Sequence, residues 1–235
     1  MVTRTSQERF RTDKGVFDAF TNRNLFELKS RGYFDELISP IFVGKESNVF
    51  SAIRKGKKVI IKIYRVQNCD FKRMFQYIKQ DPRYDFLRNR RREIIFSWTQ
   101  REYKNLIKAE RGKVNVPKTI AVKNNILIEE FIGDSQPAPP LKDSYPDNPQ
   151  KFFDDIVKEM KKMYNIGLVH GDLSSFNILN FNEKPVLIDF SQATLVKTPN
   201  SEELLERDVN NIVKFFKKLG VKAEIAEIME KIRKF

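Results

Sequence analysis

His170-Gly-Asp-Leu-Ser-Ser-Phe-Asn177, followed by Val186-Leu-Ile-Asp189, decides the reading of this chain. Asn177 comes five positions after Asp172, and Asp189 twelve positions after Asn177, at the end of an apolar run. In such a pattern Asp172 takes or orients the proton of an attacking group. Asn177 and Asp189 are hard oxygen ligands suited to the magnesium that clamps nucleotide phosphates. Each of the three alone is an ordinary turn or strand-end residue. Together they make a phosphotransfer pattern.

A second constellation lies upstream. Lys62 sits inside Val59-Ile-Ile-Lys-Ile-Tyr64, where an ammonium group is costly unless paired. Gly44-Lys-Glu-Ser-Asn-Val-Phe50 precedes it by the length of one hairpin. A kinase cleft has this order: a loop over the phosphates, then a strand lysine on the α- and β-phosphates, then a helix glutamate that holds the lysine. The amphipathic stretch Glu93–Ala109 offers Glu102 as that glutamate, with Glu93 and Glu110 as competitors. The loop has one glycine, Gly44, so side chains must contribute, and the Ser47 hydroxyl is the natural phosphate contact. The string G-x-x-x-x-G-K-[ST] is absent, which argues against P-loop chemistry.

Working outward, the pattern is strands first and helices second. Gly15–Arg31 has the spacing of one or two short helices that dock on the body. Ile38–Val43, Asn48–Ile53 and Lys58–Tyr64 read as an antiparallel meander, with Gly56 in its second turn. Phe71–Lys79 reads as a helix, and the highly charged Asp81–Arg92 as a mobile, solvated loop. Thr119–Val122 and Ile126–Phe131 are two further strands. Residues 133–149 hold five of the ten prolines and read as a connector with stiff pieces. Lys151–Ile166, Ser201–Leu219 and Ala223–Arg233 are helices, with short apolar runs at Asn177–Leu179 and Pro185–Ile188. The expected fold is α+β and two-lobed, with a sheet lobe, a mainly helical lobe and a cleft between them. The expected division is a helical extension (1–34), a sheet lobe (35–132), a proline-rich connector (133–149) and a helical lobe (150–235).

Composition removes other classes. The 235 residues include one cysteine, Cys69, and one histidine, His170. Neither an intrachain disulfide nor a Cys/His zinc site can be built, and a hydrolytic triad would have only His170 to use. A chain without intrachain disulfides suits a reducing cytoplasm. The polar start, Met1–Phe10, is not expected to act as a secretory signal, and no run is long enough to span a bilayer. The formal charge is +13, concentrated at Arg54–Lys58 and Arg88–Arg92. Such clusters are either solvated turns or phosphate-gripping surfaces, so RNA is a candidate partner.

Six collinear pieces bring a family into view: Gly44–Phe50, Lys62-Ile-Tyr-Arg65, Trp98-Thr-Gln-Arg-Glu-Tyr-Lys-Asn-Leu106, Glu130-Phe-Ile-Gly133, Leu168–Leu179 and Ile188-Asp-Phe-Ser-Gln192. They resemble the RIO family of atypical protein kinases, and its type-one branch most. The second type carries a winged-helix domain for which the residues before Ile38 are too few. Asp81-Pro-Arg-Tyr-Asp85 and Glu206–Ile212 also resemble the type-one branch. The resemblance implies ATP with Mg2+, or Mn2+, as cofactors. It implies a Lys62–Glu102 ion pair, Ser47 on phosphate, and the backbone of Glu130 and Ile132 on adenine. Asp172 would be the catalytic carboxylate, Asn177 and Asp189 the metal ligands, and Asp189 a transient phosphoryl acceptor. Asp208 would brace the catalytic loop. The family acts in maturation of the small ribosomal subunit, which implies the pre-ribosomal particle and its RNA as partners, and no membrane or DNA.

Three departures qualify the pattern. Glu129 stands before the hinge where an apolar residue is usual. Asp189-Phe-Ser191 replaces D-F-G, and His170-Gly-Asp172 lacks the arginine of H-R-D. Forty-six residues follow Asp189, few for peptide docking, so self-phosphorylation or ATP hydrolysis is the expected activity. Two rivals stay open: another small kinase-like phosphotransferase of the aminoglycoside or tRNA-modification-complex type, and an RNA-binding scaffold that holds nucleotide without turnover.

Overall fold

A computed structural model describes residues 17–66 and 69–234. The first sixteen residues of the expected helical extension lie outside the described residues, as does Phe235.

The first half is built on one five-stranded antiparallel sheet. Its strands are β1 (Glu36–Val43), β2 (Ser47–Arg54), β3 (Lys57–Tyr64), β4 (Thr119–Lys123) and β5 (Ile126–Glu130). Their spatial order is β1-β2-β3-β5-β4. The β2–β3 turn is Lys55-Gly56, both with positive φ (48° and 76°), the left-handed pair that a two-residue hairpin requires. Alternation then sorts the side chains. Ile61, Ile63, Ile126 and Ile128 pack on one face with Phe50 and with Leu25 and Leu28 of α1 (Ala19–Ser30). Ile60, Lys62 and Tyr64 take the other face, where Tyr64 packs on Met74, Ile78 and Trp98. Among the described residues of Gly15–Arg31, one helix stands where one or two are expected. Asp18 caps it by accepting from the Thr21 N–H at 2.7 Å.

Between β3 and β4 run α2 (Phe71–Lys79), a 3-10 turn (Pro82–Tyr84) and α3 (Arg91–Arg111). Asp81–Arg92 departs from its reading as a solvated loop. Asp81 is fully buried and ion-paired to Arg83 (2.6 Å) and to buried Arg101 (3.3 Å). Tyr84 and Leu87 turn inward onto α2 and α3. Charge misleads here because a buried aspartate offsets one of the two arginines that face it and holds both in place, whereas composition counts only totals. The arginines Arg88, Arg90, Arg91 and Arg92 are exposed, and the last two form the first turn of α3.

The second half holds α4 (Pro149–Asn165), α5 (Ser201–Lys217) and α6 (Ile225–Arg233). Asn148 caps α4, accepting from the Lys151 N–H at 3.0 Å, with Pro149 at the first helical position. Phe152, Phe153, Ile156 and Met160 of α4 pack against Val209, Ile212 and Phe216 of α5. Two small ribbons carry the loops of interest. One is β6 (Leu168–Val169) with β9 (Thr194–Leu195); the other is β7 (Ile178–Phe181) with β8 (Lys184–Leu187). The proline-rich connector is fastened to the second ribbon: the Leu141 N–H donates to the Ile178 carbonyl (2.8 Å) and the Asn180 N–H to the Pro139 carbonyl (2.9 Å).

Candidate active site

Four segments converge at the cleft: β3, α3, the loop between β6 and β7, and the turn after β8. Lys62 projects from β3 and is buried. Its Nζ lies 2.7 Å from Glu102 Oε1 on α3 and 3.0 Å from Asp189 Oδ1. Burial disfavours the ammonium, but Asp189 and Glu102 outweigh it and raise the Lys62 pKa well above that of an ordinary lysine. Of the three glutamates in or beside the helix, Glu102 is thus the one brought to the lysine. Tyr64, two residues along the same strand face, donates its hydroxyl to Glu102 Oε2. In the sequence Tyr64 is one letter of Lys62-Ile-Tyr-Arg65 with no role attached, and its period-two offset from Lys62 is the signal that both share a strand face.

Asp189 sits at φ +62°, a left-handed conformation that aspartate tolerates and that marks a constrained site. The Ser191 hydroxyl donates to Asp189 Oδ1 at 2.7 Å, so the serine standing for the glycine of D-F-G braces the carboxylate. Burial opposes the charge on Asp189, yet Lys62 and Ser191 keep its pKa below the usual carboxylate value. Its side chain remains 38% exposed and faces the cleft.

Asp172 is approached from two sides. Gln192 Nε2 donates to its Oδ2 at 2.9 Å, and Asn177 Nδ2 donates to its backbone carbonyl at 2.8 Å. Burial, then the Asp189 carboxylate, push the Asp172 pKa upward, the direction that suits a proton acceptor. In the sequence Gln192 is only one letter of a motif; its bond to Asp172 emerges from the fold. The loop itself hangs from α5. Asp208 Oδ2 accepts from the Gly171 N–H (2.7 Å) and Oδ1 from the Leu173 N–H (2.8 Å), one on each side of Asp172. Asn211 Nδ2 donates to the Leu173 carbonyl at 3.1 Å, and Arg207 to the Gly171 carbonyl. Gly171 has φ +76°, which accounts for glycine where H-R-D has arginine.

His170 is buried beneath the loop. Its Nε2 meets the Ile188 carbonyl at 3.1 Å and its ring packs on Phe190. Burial pushes its pKa down to about 4, so it is a neutral strut. Ser47 pairs with Tyr64 across β2–β3, on the same sheet face as Lys62 and one step along it. At the hinge, the Glu130 N–H is spent on the Lys118 carbonyl (2.8 Å), and the Ile132 carbonyl accepts from Ala138 (2.9 Å). Lys58 crosses the hinge, with its ammonium over the Phe131 ring. Glu129 faces the cleft diagonally across from Lys62, and its pKa is pushed up to about 8, first by burial and then by Glu102.

With its amide nitrogen on the Asp172 carbonyl, Asn177 keeps Oδ1, a hard oxygen, for a cation, and its backbone carbonyl accepts from the Ile188 N–H at 3.0 Å, one residue before Asp189. Among the described residues no cluster of three or more His, Cys, Asp or Glu forms a metal cage. Two protein oxygens fit Mg2+, which is commonly held by one or two side chains and completed by phosphates and water.

A strand lysine braced by a helix glutamate, facing a loop aspartate across a cleft between two lobes, is the arrangement of a protein kinase. The folds agree: the chain superposes on the Rio2 kinase of Chaetomium thermophilum in its ADP/Mg2+–phosphoaspartate complex with a TM-score of 0.70 and 24% identity, covering 90% of this chain and 66% of that one. The RIO domain family model matches residues 48–229. The RIO-type serine/threonine-protein kinase Rio1 of Methanocaldococcus jannaschii is 41% identical over 228 residues, 96% of this chain and 78% of its own length. Its namesake in Haloferax volcanii is 36% identical over 220 residues, 92% of this chain and 76% of its own. The chain belongs to the RIO family and is a serine/threonine protein kinase of the Rio1 type. No helix among the described residues is long and apolar enough to cross a membrane.

Proposed function

We propose that this chain transfers the γ-phosphoryl group of ATP with Mg2+, to itself or to water, and thereby gates maturation of the small ribosomal subunit in the cytoplasm. The observation that carries the reading is the position of Lys62 between Glu102 and Asp189, with Asp172 across the cleft. Lys62 would hold the α- and β-phosphates, and the Ser47 hydroxyl would meet phosphate from the first residue of β2. The Glu130 carbonyl and the Ile132 N–H supply the acceptor and donor that an adenine edge needs. Bound Mg2+, held by Asn177 and Asp189, would neutralise charge developing on the phosphates. Asp172 would orient the attacking oxygen and take its proton.

Asp189 is also proposed as a transient phosphoryl acceptor. A carboxylate oxygen attacks the γ-phosphorus, the bond to the β-phosphate oxygen breaks and ADP leaves; water then cleaves the acyl phosphate to inorganic phosphate. The phosphoaspartate named for the Chaetomium Rio2 complex supports this step. The charge of +13 and the exposed arginines at the start of α3 support an RNA partner.

The test is turnover of γ-labelled ATP by the native chain and by Asp172→Asn, following released phosphate and label kept on the protein. Turnover by the native chain alone supports the reading, and label released by hydroxylamine assigns an acyl phosphate. ATP binding without turnover by either protein would leave the nucleotide-holding RNA scaffold as the better reading.

A further inference from the structure

Asn105 lies one turn beyond Glu102 on α3 and is 0% exposed. Its amide spans two distant segments. Nδ2 donates to the Phe190 carbonyl at 3.1 Å and to the Ala193 carbonyl at 2.7 Å, while Oδ1 accepts from Arg83 Nη2 at 3.0 Å. Arginine has donors only, so this bond fixes which end of the amide is which: oxygen towards Arg83, nitrogen towards the two carbonyls. Arg83 is itself clamped by buried Asp81, which accepts from its Nη2 (2.6 Å) and Nε (2.9 Å).

The two carbonyls belong to the turn that follows Asp189. That turn begins in a left-handed residue and closes with the Ala193 N–H on the Phe190 carbonyl at 3.2 Å. A backbone conformation of this kind persists only where its surroundings over-determine it. Ser191 braces the Asp189 carboxylate, while Asn105 ties the carbonyls at both ends of Phe190–Ala193 to α3, the helix that also carries Glu102. The ion pair and the turn are thereby referenced to one rigid element.

We infer that Asn105 is a positioning residue for Asp189: it holds the turn in the conformation that aims the carboxylate at the metal side of the cleft, and Arg83, locked by Asp81, sets its amide. The inference rests on the reading of Asp189 as a metal ligand. It also places the arginine-rich segment that begins at Asp81 two hydrogen bonds from the site.

The test uses the full chain and binding rather than turnover as its first readout. ADP affinity is measured by calorimetry with Mg2+ and with EDTA for the parent, Asn105→Leu, Arg83→Ala and Asp189→Asn, alongside the melting midpoint. Asn105→Leu keeps the side-chain size and removes the amide. It is expected to lose about tenfold of the Mg2+-dependent gain in affinity, as happens when a metal ligand loses its supporting partner, with affinity in EDTA unchanged. Arg83→Ala, at a partly exposed side chain, should lose a smaller share in the same direction, and it carries the test if Asn105→Leu does not fold. A lower melting midpoint with the parental Mg2+ gain in both variants would reduce Asn105 to packing and overturn the inference. If Asp189→Asn also keeps the full Mg2+ gain, the metal-ligand reading itself falls, and the inference with it.

Discussion

Lys62 and Asp189 are 127 residues apart in the chain and 3.0 Å apart in space, joined by a charge-assisted hydrogen bond across the cleft. The same ammonium reaches Glu102, which is 1% exposed. One cation is therefore shared between two carboxylates contributed by different segments, and it couples the stability of the cleft to its chemistry.

Replacing that cation leaves buried charge uncompensated. Lys62→Met is expected to destabilise the chain by about 3–5 kcal/mol, the usual cost of breaking a buried pair on one side. Adding Glu102→Gln should recover much of this in urea denaturation while turnover stays absent. Recovery of stability without activity separates the structural role of the pair from its role on phosphate.

Gly171 admits a second test. An alanine there would adopt φ +76° against preference, and its Cβ would stand 3.1 Å from the Gln192 carbonyl. The backbone cost alone is about 1 kcal/mol. Gly171→Arg, which writes H-R-D back into the chain, should lower both the melting midpoint and kcat, because Gln192 is the residue that holds the Asp172 carboxylate.

Asp208 holds the catalytic loop by two backbone N–H groups. Asp208→Asn turns an amide NH2 towards one of them, so a donor faces a donor. The expected result is a loss of about 10²-fold in kcat with KM for ATP little changed, since the nucleotide is held elsewhere and a small misplacement of Asp172 suffices. Steady-state kinetics read both values.

Glu129 confers a pH dependence. Its carboxyl titrates at about 8 in the folded chain, through burial and then Glu102 and Asp189, with Lys62 opposing; the unperturbed value is 4.5. Between these values the unfolded chain has released a proton that the folded chain keeps, so this group's contribution to stability falls as pH rises through the window. Glu129→Gln is expected to gain on the parent steadily from about pH 4.5 to about 8, read by denaturant midpoints across that range. Equal pH profiles for the two proteins would contradict a proton held at Glu129.

The arginines at the start of α3 carry the RNA prediction. Replacing Arg88, Arg90, Arg91 and Arg92 by glutamine should weaken binding to small-subunit RNA. It should also flatten the logarithmic salt dependence by roughly 0.7–0.9 for each phosphate that the variant no longer neutralises. ATP affinity should stay at the parental value, because all four are exposed and Arg90, Arg91 and Arg92 reach Glu93, Phe71 and Phe20 rather than Lys62, Asp172 or Asp189.

Much of this molecule is legible in its residues. The hairpin at Lys55-Gly56, the helix at Phe71–Lys79 and the amphipathic stripe of α4 follow from local periodicity and turn chemistry, which act over a few residues. Lys62, Asp172, Asn177 and Asp189 stand out because an isolated charge in an apolar run, or hard ligands at fixed spacing, is conspicuous in one dimension. Asp81–Arg92 misleads because a count of charges cannot tell a solvated arginine from one that neutralises a buried aspartate.

The sequence by itself determined the class of chemistry, the order of the main strands and helices, and the residues proposed to carry out phosphotransfer. Only the tertiary structure decided which partners hold them: Tyr64 on Glu102, Ser191 and Lys62 on Asp189, Gln192 on Asp172, and Asn105 on the turn beyond Asp189. The reason is physical. A periodic pattern records which face of an element is buried. The pairing of polar groups is set by desolvation where distant segments meet, because each buried donor must find whichever acceptor the fold brings within about 3 Å.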